Sequence, residues 1–588
     1  MCGIYAAFSY DRELGLQHHN HTSLLHRGPD SQGEFSDSHF YTKHYRLQIV
    51  GGETGNQPML SRTGRLLLSY NGEIYNYKEL ASEQLGDPSL ALQGDTRVLV
   101  EFLDRFGLSR LNELNGMFAF VVYDIPQRQI SLVRDRLGIK PLYYAEKNGA
   151  LFIASEIKAL FPQVPLEIDY EVVENYLRFG TYPIGDATFY KNIFQLEPSH
   201  SLTWRGTPSK TRYYDLASAV QAVRDPSVDE WVSLFENSIR LRLRSDIPVT
   251  LHYSGGTDST ALLIKTKEVW GWDYPLKTYT MAYPNESVDE SHLASSYCRE
   301  IGIRNETVPI VASEIPKLTE ELTWFCDEPF GGIPSVAHYR FNQVLKEQGF
   351  TVALEGQGGD EAFGGYPYHI YLALYDLVNK GSQPDLCEKL LIHLKEEKES
   401  ALRKAEKLIE SGFGSHSDMT DIRERGKPAT LELDSWLLTI QLHDALRNKI
   451  PRLLRFEDRS SMAASREIRF PFLDYRVLAH GMALATTDKY SGGLPKAPLV
   501  GLTRKYLGDL FRPAKRSVVS SQTIWLTGEL RSWVLGNVQE LRKLEVIDET
   551  HFDRFEKMMA APQLDNSFFI WQLVNLNHMI RNLRKCYH

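Results

Sequence analysis

The chain is poor in the features that mark a secreted or membrane protein. Its five cysteines (Cys2, Cys298, Cys326, Cys387 and Cys586) are scattered through 588 residues. They are too few and too dispersed for a disulfide framework, no CxxC pair points to a metal, and such usage fits a reducing compartment. No run reaches the about 18 apolar residues of a spanning helix. The first residues lack the basic and apolar regions of a signal peptide. The tail RKCYH has only two residues after its cysteine, which excludes a CaaX lipidation signal. Positive charge is not in excess either: the formal net charge is −9, so no global field calls for nucleic acid. No repeat of 20–50 residues is present. The expectation is a cytoplasmic protein with no nucleic-acid partner and no membrane insertion. Hydrophobic residues at 42% and charged residues at 24% are ordinary for a globular chain, and the length allows two or more domains of about 100–200 residues.

The first 160 residues or so carry short β-like runs, RLLLSYNGEIYNY, GMFAFVVYD, QISLVRD and ALFIAS, punctuated by Asn-Gly and Gly-Pro pairs. One helix is expected in TRVLVEFLDRFG from its three-and-four apolar spacing. This pattern predicts a layered α+β domain over residues 1–210. It stops near Pro226 and Asp229, and strands and helices then alternate: DIPVTLHY, STALLIKTKEVW, LKTYTMAY, ESHLASSYCREIG, NETVPIV and TVALEG. Alternation of this kind predicts a parallel sheet covered by helices, in a second domain over 228–588 that turns mainly helical past residue 380. The charged stretch EKLLIHLKEEKESALRKAEKLIESG reads as a solvated helix face. His18, His19 and His21 read as a polar loop rather than a metal cluster, since no flanking cysteine or HExxH supports one. Cys298 and Cys326 read as core.

The sharpest single motif is DIPVTLHYSGGTDSTALLI. A strand ends at Tyr253, Ser254-Gly255-Gly256-Thr257-Asp258-Ser259 turns the chain, and a helix begins. The glycines let the backbone approach a ligand and the helix start offers free N–H groups to an anion. Asp258 suits Mg²⁺, which prefers a carboxylate together with phosphate oxygens. No GxxxxGK[ST] is present. The loop resembles that of ATP-pyrophosphatases, which cleave ATP to AMP and pyrophosphate. A second glycine-rich turn, TVALEGQGGDEAFGGY, offers Glu355, Asp360 and Glu361.

The chain opens MCGIYAAF. Without Met1, Cys2 would carry a thiol (pKa about 8.5) and an α-amine (about 7.7–8.0) on one residue, and the amine could accept the thiol proton so that the thiolate attacks an amide. With HRGPD, HYRLQIV, NGEIYN and GDTRV following within 100 residues, the opening resembles the class II, N-terminal-nucleophile glutamine amidotransferase domain, a likeness that RDRLGIKPLYY and ASEIKAL extend to about residue 160. SGGTDS, EGQGGDEAFGGY and LLRFEDRSSMAASREIRFPFLD resemble asparagine synthetase. The resemblance implies Cys2 as nucleophile, with the Asn71 side chain and Gly72 N–H as oxyanion donors. It implies glutamine held by Arg46, Leu47, Gln48, Ile49 and Val50, by Asn71, Gly72 and Glu73, and by Asp95.

For the second half it implies ATP, Mg²⁺ and a carboxylate acceptor, which attacks the α-phosphorus to form an acyl-adenylate. Ammonia from Cys2 crosses the interior and displaces AMP. The implied ATP contacts are His252, Ser254, Gly255, Gly256, Asp258, Ser259, Met281, Glu355 and Gly356, with Mg²⁺ on Asp258 and Asp360 and catalytic Lys515 in FRPAKRSVVSSQTIWL. Two departures concern the acceptor. Gln357 occupies the acceptor-activation position where many asparagine synthetases have a glutamate, and glutamine can neither carry charge nor accept a proton. Pro334 stands where one group has an arginine. The expected activity is glutamine-hydrolysing asparagine synthesis from aspartate. The alternatives are amidation of another carboxylate, such as a uronic acid of a bacterial surface polysaccharide, and a non-catalytic binding or scaffold protein. A homodimer is compatible with any of these.

Overall fold

A computed structural model describes residues 1–14, 22–183, 185–284, 286–410, 435–513, 521–560 and 567–586. The amino-terminal half is two stacked six-stranded sheets. The first contains β1 (Cys2–Ser9), β2 (Ser31–Ser36), β3 (Phe40–Arg46), β8 (Tyr143–Lys147), β9 (Ala150–Ala154) and β10 (Phe194–Gln195), in the order β10-β8-β9-β1-β3-β2. The second contains β4 (Met59–Leu60), β5 (Leu66–Ile74), β6 (Gly116–Asp124), β7 (Gln129–Arg134), β11 (His200–Trp204) and β12 (Pro208–Arg212), in the order β12-β11-β7-β6-β5-β4.

Strand alternation builds the layers. Ile4, Ala6 and Phe8 of β1 point between the sheets and meet Leu67, Val121 and Leu132. Tyr5 and Ala7 point outward and join a cluster with Val336 and Trp571 of the carboxy-terminal half. Leu68 and Phe120, on the outer face of the second sheet, share a cluster with Leu251 and Leu354. The two halves are therefore welded through apolar cores on both outer faces, and each fully buried large side chain contributes about 1.5–3 kcal/mol.

The carboxy-terminal half is built on a parallel sheet of β13 (Val249–His252), β14 (Thr278–Ala282), β15 (Asn305–Pro309), β16 (Val352–Leu354) and β17 (Glu467–Arg469), in the order β15-β14-β13-β16-β17. The strand order reverses at β13, whose neighbours are β14 on one side and β16 on the other. In such sheets ligands bind beyond the carboxyl ends of the strands at the reversal, which here are the loops after His252 and Leu354. The four expected strands, in DIPVTLHY, LKTYTMAY, NETVPIV and TVALEG, are all present. The fifth strand, inside REIRFPF, lies in the region read as helical. It is three residues long and alternates charge with Ile468, so no apolar run marks it.

Candidate active site

At the amino terminus, β1 and β5 belong to different sheets and are pinned together by the Cys2 N–H, which donates to Asn71 Oδ1 at 2.8 Å. That bond directs the Asn71 amide NH₂ the other way, where it is buried without a partner. A buried donor left unpaired costs about 1–3 kcal/mol, so this group is poised for an incoming oxygen. Gly72 has φ 149°, and a Cβ there would lie 2.0 Å from the Met117 carbonyl, so no larger residue fits. Burial raises the Cys2 thiol pKa, with the terminal amine opposing.

Arg46 is 4% exposed. Its guanidinium fastens the following loop by donating to the carbonyls of Val50 (3.0 Å) and Gly52 (2.5 Å) and to Asn56 Oδ1 (3.0 Å). Leu47, Ile49 and Val50 are buried in this loop while Gln48 is exposed. Asp95 accepts from Tyr70 OH (2.8 Å) and the Ile74 N–H (3.0 Å), and burial raises its pKa. Glu73 lies 3.6 Å from Arg469. On one side of Cys2 lie Asn71, which hydrogen-bonds to it directly, and Arg46, its partner in the β1–β3 pairing. On the other, Glu467 Oε2 of β17 meets the Met1 amine at 3.3 Å and Glu467 Oε1 meets Arg469 Nε at 2.6 Å. The charged wall behind the amino terminus comes from the other half of the chain.

At the second loop, Gly255 has φ 75° and a Cβ there would lie 3.1 Å from Ala294. Ser254 Oγ and Ser259 Oγ are 3.0 Å apart, and the helix Thr257–Trp270 follows. Asp258 and Asp360 come together as the sequence suggested. Between them sits the Lys496 ammonium, 2.6 Å from Asp258 Oδ2 and 2.6 Å from Asp360 Oδ1. Burial opposes its charge, but the two carboxylates outweigh burial and raise its pKa. Lys515 lies outside the described residues, as do His18, His19 and His21. Met281 is half-buried on β14, and Gly356 and Gln357 are half-buried in the loop after β16. Glu361 is buried and accepts from Tyr366 OH at 2.8 Å.

Below this loop is a buried network that joins the two predicted positions His252 and Glu355 to residues not anticipated. His252 Nδ1 is 2.6 Å from Glu355 Oε1, and Arg466 Nη1 is 3.1 Å from His252 Nε2. A guanidinium only donates, so Nε2 accepts and Nδ1 carries the proton. Burial lowers the His252 pKa to about 4. His338 Nε2 lies 3.1 Å from Glu355 Oε1 and 2.9 Å from Glu457 Oε2. Its Nδ1 meets Ser460 Oγ at 2.7 Å, whose hydroxyl is donated to the Phe456 carbonyl. Both ring nitrogens of His338 therefore donate, as an imidazolium. Burial opposes that charge, but Glu457 and Glu355 raise the pKa to about 10. Burial also opposes ionisation of Glu355, and His338 and His252 outweigh it and hold the carboxyl well below its usual range. Burial, then the Glu355 charge, raises Glu457 to about 7. Nδ1 of His252, Nε2 of His338 and a Glu355 oxygen lie within 4.8 Å of one another, which suits a metal on distance alone. The Arg466 guanidinium on His252 and the His338 imidazolium already supply positive charge to Glu355 there, and the arrangement reads as a buried network of charges and hydrogen bonds.

Two family models match the chain: one described as a glutamine amidotransferase domain, over residues 1–214, and one described as asparagine synthase, over residues 230–581. The chain belongs to the asparagine synthase family. It is similar to glutamine-hydrolyzing asparagine synthetase 1 of Bacillus subtilis (strain 168), at 28% identity over 98% of this chain and 97% of that one. It is also similar to amidase chry2 of Gibberella zeae, at 30% identity over 58% of this chain and 54% of that one. A putative glutamine-hydrolyzing asparagine synthetase 2 of Methanocaldococcus jannaschii is 28% identical over 65% of this chain and 78% of that one. Membership makes the chain a glutamine-hydrolysing carbon–nitrogen ligase and implies a nucleotide substrate. Among the described residues no helix is long and apolar enough to cross a membrane.

The residues that sequence reasoning missed are His338, Glu457, Arg466, Glu467, Arg469 and Lys496. Four of them fall within the quoted stretch LLRFEDRSSMAASREIRFPFLD, so a signal existed, but not which faces its charges would take. Their burial has a measurable consequence. Between the unfolded carboxyl value of about 4.3 and the folded value of about 7, the folded chain keeps a proton on Glu457 that the unfolded chain has lost. Stability contributed by this group therefore falls as pH rises through that window. Thermal melts from about pH 5 to 7 should show Tm declining more steeply in the native chain than in Glu457→Gln, which cannot ionise. Parallel curves would show that Glu457 is ionised throughout.

Proposed function

We propose that the chain moves the amide nitrogen of glutamine onto a carboxylate activated by ATP, with residues 1–210 releasing ammonia and residues 228–588 forming the acyl-adenylate. The observation that carries this reading is the coexistence of Cys2 beside an unpaired buried Asn71 donor with a Ser254–Ser259 loop whose Asp258 meets Asp360 across Lys496 at the sheet reversal. In the first half-reaction the Cys2 α-amine takes the thiol proton once Met1 is removed. The sulfur attacks the glutamine side-chain carbonyl, and Asn71 Nδ2 and the Gly72 N–H hold the oxyanion. Loss of one such donor typically costs about 10²–10³ in rate. Ammonia leaves with the returned proton, and water releases glutamate. Arg46 would take the glutamine carboxylate, and Asp95 with Glu73 its ammonium.

In the second half-reaction a carboxylate oxygen of the acceptor bonds to the α-phosphorus, and pyrophosphate leaves with the electron pair of the broken P–O bond. Ammonia then bonds to the acyl carbon, AMP leaves with the C–O pair, and one N–H proton must go to a base. Gln357 cannot take it. Glu457, which lines the cavity and faces His338, is the group we assign. Asp258 and Asp360 converge on one cation position, which the Lys496 ammonium fills; as carboxylates they also suit Mg²⁺, which would neutralise phosphate charge once ATP draws Lys496 onto the pyrophosphate. The Ser254 and Ser259 hydroxyls and the Lys496 ammonium would bind pyrophosphate.

Aspartate is the acceptor that the name of the full-length relative supports. The test is AMP release with ATP, Mg²⁺ and ammonium, with and without aspartate, with asparagine assayed in parallel. AMP matched by asparagine supports this acceptor. No response to aspartate, from protein that still hydrolyses glutamine, moves the reaction to another carboxylate. One observation favours that second reading: the cavity at Pro334, His338 and Glu457 has a volume of about 880 Å³, much more than a small amino acid fills.

A further inference from the structure

The helix Lys449–Met462 places Lys449, Arg452, Arg455 and Arg459 at spacings of three or four, which is one helix face. All four line the 880 Å³ cavity, whose walls come from both halves of the chain. Eight Lys or Arg side chains line it against two carboxylates, Glu457 and Asp458, in a chain whose net charge is −9. This concentration runs against the composition of the whole molecule. The two acids do not neutralise it. Asp458 is matched by Arg27 at 2.9 Å and Lys140 at 3.7 Å, and Glu457 faces His338.

The arginines are under-committed. Arg452 has no ion pair among the described residues. Arg455 reaches Glu328 at 3.5 Å, with Nη1 lacking a hydrogen-bond partner. Arg459 is 2% exposed. It uses Nη1 on Glu156 (3.0 Å) and the Ser155 carbonyl (3.2 Å), which leaves its buried Nη2 without a partner. Buried guanidinium N–H groups are costly to leave unpaired, and the planar fork matches phosphate and carboxylate oxygens. The same cavity is walled by Gly331, Pro334 and Ser335, and by His338 and Glu457. Its volume falls in the upper part of the about 300–1,000 Å³ that holds drug-sized ligands.

We infer that this cavity takes the acceptor, and that the acceptor is a phosphorylated acid larger than aspartate: one carboxylate for amidation beside His338 and Glu457, and a phosphate seated on Arg452 and Arg455. The inference rests on the amidation reading and chooses between its two acceptors. It is tested on the full chain with ATP, Mg²⁺ and ammonium, by measuring AMP release with glucuronic acid 1-phosphate, glucuronic acid and aspartate. The phosphorylated acid should show a KM about tenfold or more below that of either other carboxylate, as expected for charge-assisted contacts. Arg452→Ala combined with Arg455→Ala should raise that KM about tenfold while leaving the KM for plain glucuronic acid and the rate of glutamine hydrolysis unchanged. Aspartate used as well as the phosphorylated acid, or a variant that loses both sugar acids equally, overturns the inference and leaves the amidation reading standing. No AMP from any carboxylate, by protein that still hydrolyses glutamine, removes the amidation reading and the inference with it.

Discussion

Cys2→Ala is expected to lower glutamine-dependent amidation by about 10³-fold or more, as loss of a nucleophile does elsewhere, while activity with added ammonium persists. The physical reason is that the proposed machinery is divided. In that proposal the thiol, the Asn71 donor and the Gly72 N–H act on glutamine alone, and ammonium enters after them. Alanine is smaller than cysteine and Cys2 is 5% exposed, so the substitution costs packing at one strand end and leaves the β1 pairing with β3 and β9 intact. The measurement is glutamate and AMP release from the same preparation, with glutamine and then ammonium as nitrogen source. Equal loss with both donors would show that the two activities do not separate at Cys2.

Lys496→Met should lower AMP release by about 10²–10³, the scale for removing a charge that stabilises a transition state, while glutamine hydrolysis continues. Lys496 lies 2.6 Å from both Asp258 and Asp360, and a Cβ on Gly365 would fall 2.1 Å from its side chain, so the ammonium is held in one place. Removing it leaves two acidic groups facing each other, and breaking a buried pair costs about 3–5 kcal/mol; the partial exposure of Asp258 and Asp360 reduces that figure. Higher Mg²⁺ should restore part of the rate, because a cation between the carboxylates replaces the lost charge. Glutamine hydrolysis serves as the check that the chain is folded. An unchanged AMP rate would remove the Asp258–Lys496–Asp360 group from the proposed pyrophosphate site.

Much of the first site was legible because its chemistry is compressed in sequence. Cys2, Arg46, Asn71 to Glu73 and Asp95 fall on one strand start, the ends of two strands and one helix start. At Gly72 the conformation and the Met117 carbonyl leave room for hydrogen alone. The Ser254–Ser259 loop was legible for a similar reason: a strand, glycines and a helix start occur in one short run. The buried network was not. His252 and Glu355 were picked out as neighbours of a nucleotide, but nothing local told that His338 and Glu457 would close on them. His338 and Glu457 lie on separate helices, Gly332–Glu347 and Lys449–Met462, whose packing brings the two side chains to 2.9 Å.

By itself the sequence determined the two kinds of chemistry, the order of the layered half and the parallel half, and the loops where backbone meets ligand. These depend on short-range rules: strand alternation, glycine at strained or crowded positions, and helix starts that present N–H groups. Tertiary structure alone decided how charge is distributed. A three-residue strand, Glu467–Arg469, carries the acid that faces the Met1 amine, Lys496 arrives from a distant loop between two aspartates, and one face of a single helix turns a chain of net negative charge into a basic cavity. Electrostatic energy depends on distance through space and on burial, neither of which is encoded in the neighbours of a residue along the chain.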